Sequence, residues 1–97
     1  MINEEVKKFL EENNLNDFFN KIIYDIISYL NKFNLSFSIN YEIFEDFLDK
    51  SWTILKIIVS FKNISDYSLF YTWSELCKIK NKIINSSKIV IIARSDE

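Results

Sequence analysis

The repeat of apolar residues changes period within a few positions of Asn34, and no single type of secondary structure accommodates both halves. From Asn16 to Phe33 the apolar positions are Phe18, Phe19, Ile22, Ile23, Ile26, Ile27, Leu30 and Phe33, spacings of three and four that only a helix gathers on one side. Immediately afterwards Leu35, Phe37, Ile39, Tyr41 and Ile43 alternate with Ser36, Ser38, Asn40 and Glu42, the period-two signature of a strand with one buried and one wet face. The chain is therefore expected to mix helix and sheet in one core.

The remaining elements follow from the same reading. Asn3 can cap a helix running to about Glu12, with Glu4 and Glu5 in its first turn and Val6, Phe9 and Leu10 on one side. Trp52 to Phe61 is β-branched and aromatic, and its inner phase is Leu55, Ile57, Val59 and Phe61. Ser65 or Asp66 can open a third helix, where Leu69, Phe70, Trp73, Leu76, Cys77, Ile83 and Ile84 share a side and Asn85 is a stop. Lys88 to Arg94 reads as a short strand, apolar on both faces and so more covered than the first strand. Glycine and proline are both absent, so turns fall to Asn, Asp and Ser; Asn13-Asn14, Asn34, Asn63 and Asn85 are the candidate breaks.

The order ααββαβ predicts an α+β fold: a two-layer sandwich over residues 1–97, a single domain, with the helices on one face of a three-stranded, mainly antiparallel sheet. A right-handed crossover makes the second and third strands parallel if they share a sheet. The leading strand order is 2-1-3, with the last strand beside the second as the alternative.

Composition excludes several functions. The chain has 48% hydrophobic and 27% charged residues, enough apolar area to offset chain entropy, so a folded globular protein is expected rather than a disordered one. A net charge of −2 gives no global attraction for nucleic acid or an anionic membrane. No apolar run approaches bilayer length and no signal-peptide pattern opens the chain, so a cytoplasmic protein is the expectation. Histidine is absent and Cys77 is the only cysteine, which removes the usual ligands of zinc and the usual base of a catalytic triad. No cofactor and no small-molecule ligand can be identified. Asn, Lys, Ile, Phe and Tyr fill more than half of the positions. These residues have A/T-rich codons, and genomic base bias supplies many of them without a functional cause.

Four features of the sequence bear on possible chemistry. Glu42, Glu45, Asp46 and Asp49 lack the glycine and the ligand spacing of a calcium loop and read as a solvated turn. Lys78, Lys80, Lys82 and Lys88 suit the negative end of a helix as well as they suit a phosphate, and Lys80 reads as a snorkelling lysine at the end of an apolar stripe. Cys77 reads as a packed thiol. Base stacking on the sheet would need outer-face aromatics, where the first strand offers Ser36, Ser38, Asn40 and Glu42.

The surplus is apolar material on faces expected to be wet. Trp52, Ile54 and Ile58 fall on the outer phase of the second strand, Tyr67 and Tyr71 stand one turn apart on the polar side of the third helix, and Tyr24 points outward from the second. These features favour a non-enzymatic homo-oligomeric or partner-binding module, a homodimer among the possibilities, with Trp52, Ile54, Ile58, Tyr67 and Tyr71 as partner-binding residues. The alternatives are a nucleic-acid-binding accessory protein and an enzyme with an unrecognised acidic or lysine-based site.

The stretch Tyr41-Glu42-Ile43-Phe44-Glu45-Asp46, followed by Ser51-Trp52 and a strand leading into the Trp73-bearing helix, resembles short uncharacterised prokaryotic αββαβ proteins. Some of those are encoded beside toxin-like or nuclease-like partners. The resemblance spans roughly residues 15–93 and consists of hydrophobic spacing plus an acidic hairpin, so it implies a fold and a partner but transfers no functional residue.

Overall fold

The computed structural model describes residues 2–46, 48–49 and 52–95. Along the chain come α1 (Glu4–Glu12), α2 (Asn16–Lys32), β1 (Phe37–Glu45), β2 (Thr53–Phe61), α3 (Asp66–Ile83) and β3 (Ile89–Ser95). The α+β class and the order ααββαβ match the expectation from periodicity.

Helix boundaries have local causes. Asn3 Oδ1 accepts a hydrogen bond from the Val6 amide at 2.9 Å, and Ser65 Oγ accepts one from the Ser68 amide at 3.2 Å, so each side chain satisfies an amide that the first turn leaves free. With no glycine available, Asn14, Asn34 and Asn63 take the positive-φ positions, at 55°, 52° and 55°. Asparagine tolerates this left-handed region better than any other residue with a side chain of its size. Those three fall at breaks expected from the sequence, whereas α3 ends at Ile83 without a comparable turn at Asn85.

The strand order is β1-β2-β3, which corrects the leading expectation of 2-1-3. β1 pairs with β2 antiparallel from Phe37 opposite Phe61 to Glu45 opposite Thr53, and β2 pairs with β3 parallel from Leu55 opposite Ile89 to Phe61 opposite Ser95. The sheet is thus mixed, with one antiparallel and one parallel pair. The physical reason lies in β2, which is apolar on both phases and gains most from the middle place, whereas every second residue of β1 is polar up to Glu42.

The core forms between the inner face of the sheet and the helices. Leu55, Ile57, Val59 and Phe61 of β2 are fully buried with Ile22, Ile26 and Leu30 of α2, Leu76 of α3, and Val6 and Leu10 of α1. The Phe19 ring of α2 meets Tyr41 of β1 edge-on, with centroids 5.3 Å apart, which sets α2 over the β1 side of the sheet. Burial raises the Tyr41 phenol above its ordinary pKa.

The buried side of α3 is rotated from the expected one. Thr72, Leu76 and Lys80 are buried, whereas Phe70 is 66% and Trp73 38% exposed. The cause is a side-chain bond: the Trp73 indole Nε1 donates to the Ile91 carbonyl of β3 at 2.8 Å, which holds the ring at the sheet margin and leaves Phe70 outside it.

The positive-φ asparagines give a direct test. Replacing Asn34 by Gly should leave stability equal or higher, and Asn34→Ala should lower it by about 1 kcal/mol, since a Cβ without a compensating polar side chain is strained there. Urea unfolding midpoints of the two variants check this.

Candidate interaction surfaces

Among the described residues, the core that the helices share with β2 takes the inner phase of that strand, and the opposite phase forms the outer face of the sheet. Two-residue alternation puts Ser38, Asn40, Glu42 and Phe44 of β1 there, with Ile54, Lys56, Ile58 and Ser60 of β2 and Val90, Ile92 and Arg94 of β3. One end is polar: Arg94 Nε donates to the buried Ser60 Oγ at 3.1 Å. At the other end Phe44 lies opposite Ile54 and carries the Lys56 ammonium 4.8 Å from its ring centroid.

This arrangement revises the expected partner-binding set. Ile58 is only 7% exposed, because the middle strand places it between Asn40 and Ile92 and its neighbours close over it. Trp52 precedes β2 and is 56% exposed in the β1–β2 connection, where its carbonyl accepts from the Asp46 amide at 3.2 Å. Ile54 is half-buried on the outer face. Tyr67 and Tyr71 are exposed but lie elsewhere, beside Tyr29, Phe33, Leu35 and Ile64 in a crevice of about 200 Å³ between α2 and α3. The five residues therefore belong to more than one surface.

A groove missed by the sequence reading lies between α3 and the margin of β3. It holds about 420 Å³ and is lined by Leu69, Phe70, Trp73, Val90, Ile92 and Ala93, with Asp66 as its one charged residue. Phe70 and Trp73 stack at a tilt with centroids 5.9 Å apart. The period of α3 had placed both aromatics in the core, so nothing in the spacing marked them as surface groups.

The charged groups of the described residues lie in separate places. Asp46 Oδ1 accepts from the amides of Leu48 at 2.8 Å and Asp49 at 3.0 Å, closing the acidic turn on itself. Among the described residues no group of three or more His, Cys, Asp or Glu side chains could hold a metal ion. Glu45 borders an open cleft of about 410 Å³ with Glu5, Glu12, Lys8 and Lys88, while Asp46 and Lys80 are not part of it. The lysines of α3 are divided: Lys78 pairs with Glu75 at 3.0 Å, Lys80 is buried and Lys82 faces the α2–α3 groove. No helix among the described residues is long and apolar enough to cross a membrane.

Lys80 corrects the expectation of a snorkelling side chain. It is 8% exposed, and its Nζ donates to the Ser86 carbonyl, tying the end of α3 to the turn before β3. The turn is tightened by the Lys88 amide donating to Ser86 Oγ at 3.1 Å. Burial lowers the Lys80 pKa, an effect partly opposed by the neighbouring Cys77 sulfur. Cys77 itself is half-buried, and loss of solvation raises its thiol pKa.

With this geometry in hand, the chain matches no protein-family model, no curated protein and no solved structure.

The lowered Lys80 pKa has a definite sign in stability. Between its folded value and the usual 10.5, the unfolded chain binds more protons, so this residue's contribution to stability rises with pH. The stability of wild type minus that of Lys80→Met should therefore increase from neutral pH towards 10.5. Urea unfolding at several pH values measures the difference, and a flat difference would contradict it.

Proposed function

We propose that this chain is a non-enzymatic association module that binds protein. The observation that carries the reading is the α3–β3 groove, where Phe70 is 66% exposed beside Trp73, Val90 and Ile92, with Asp66 the one charged residue among the described lining. A monomer has no use for such a surface in water, since each large apolar side chain covered by a partner contributes about 1.5–3 kcal/mol. An aromatic pair beside aliphatic residues is also the composition of an interface centre.

Other observations support the same reading. The acidic turn is occupied with its own amides, the lysines are dispersed, and burial raises the Cys77 thiol pKa. For nucleic acid, the outer sheet face presents Ser38, Asn40 and Glu42 where stacking platforms would be needed.

The experiment compares wild type with Phe70→Asp and Ile92→Lys, two substitutions at exposed or half-exposed groove positions. Both variants should lose either a protein that wild type retains from its own cell extract or an increment of mass that wild type shows in light scattering. Identical mass and identical retention in wild type and both variants would contradict the proposal.

A further inference from the structure

The two edges of the sheet differ in a way that selects a partner. In a parallel pair, alternate residues bond to the neighbouring strand, and the Leu55 amide donates to the Lys88 carbonyl at 2.8 Å. Even-numbered residues of β3 therefore face β2, and the outward groups belong to Ile89, Ile91 and Ala93. Trp73 Nε1 occupies the middle of that edge by bonding the Ile91 carbonyl. The β3 edge is thus obstructed by its own helix.

Among the described residues the β1 edge carries no such device. Its ladder is bracketed by Lys62 N to Ser36 O at 3.3 Å and Asp46 N to Trp52 O at 3.2 Å, so even-numbered residues bond to β2. Phe37, Ile39, Tyr41, Ile43 and Glu45 then turn their N–H and C=O groups outward along nine residues. Edge strands are usually protected by proline, bulges or lysine, and β1 has none of these.

α1 packs at the Ile43–Glu45 end of β1, and along the rest of that strand α2 is the helix at this margin. α3 holds one flank of α2, where Tyr29 and Phe33 meet Tyr67 and Tyr71, so the opposite flank looks past β1. At 100° per residue that flank contains Asn16, Asn20, Ile23, Ile27 and Asn31, with no charge among them, whereas Asp17, Lys21, Asp25 and Lys32 group elsewhere on the helix. Ile27 is 37% exposed.

We infer that a second copy of this chain pairs with β1, antiparallel across a two-fold axis near Tyr41, giving a continuous six-stranded sheet with the two uncharged α2 flanks facing each other. This goes beyond the groove reading, because it concerns a second surface that shares no residue with the groove. Register and charge support a second copy. Antiparallel pairing about Tyr41 sets Ile39 opposite Ile43, Glu42 opposite Asn40 and Glu45 opposite Phe37, so inner faces match and no like charges oppose. A two-fold axis makes every such contact twice, and both layers continue across it at once because two strand spacings match the separation of packed helices.

The test uses the full chain. Sedimentation equilibrium should give a dimer, and amide exchange at Ile39, Tyr41 and Ile43 should slow by about tenfold or more from dilute to concentrated protein. Ile27→Glu, at an exposed position, should weaken dimerisation by about tenfold or more through like charges across the axis, with its circular dichroism unchanged. Phe70→Asp should leave the dimer intact. A monomer at all concentrations, or a dimer lost in Phe70→Asp whose β1 amides exchange rapidly, would overturn the inference. The first result leaves the groove proposal to its own retention experiment, and the second would place self-association in the groove.

Discussion

Strand β2 is the element on which everything else is hung. It hydrogen-bonds on both sides, and its inner residues Leu55, Ile57, Val59 and Phe61 have no exposure, so both helices of the upper layer and both neighbouring strands are positioned against it. A one-residue slip in its register would exchange these four for Ile54, Lys56, Ile58 and Ser60. That exchange would bury a lysine under α2 and α3 and would disperse the core.

From this centre the asymmetry of the molecule follows. The crossover through α3 returns the chain parallel to β2 and places α3 at the β3 margin, where Trp73 reaches the Ile91 carbonyl. The antiparallel hairpin leaves β1 as the opposite margin, with α2 over its middle and α1 against its Ile43–Glu45 end. One edge is consequently closed by an aromatic ring, and the other presents bare backbone. The exposed groove and the open edge are both products of fitting two helices over three strands with the middle strand as the pivot.

Much of this was legible in the sequence because periodicity reports burial directly. The α2 stripe, the alternation in β1 and the Asn breaks at 14, 34 and 63 each reflect a local requirement that one residue type satisfies. Strand order was not legible in the same way, since hydrophobic pattern fixes which face is inside but only indirectly which neighbour lies alongside. The apolar outer phase of β2 carried the clue: Ile54 and Ile58 signalled a central strand, and were read as an exposed patch. The α3 surface was obscured for a related reason. Phe70, Trp73 and Lys80 obey helical spacing, but a hydrogen bond at the sheet margin and a carbonyl at Ser86 decide which of them are buried.

The claim that β2 lies between the other strands is tested most directly by cross-strand nuclear Overhauser contacts in the labelled protein. The account predicts backbone contacts from β2 to both neighbours, linking Ile57 and Ile58 with Tyr41 and Asn40 on one side and with Ile91 and Ile92 on the other. Contacts between β1 and β3, with none between β2 and β3, would contradict it.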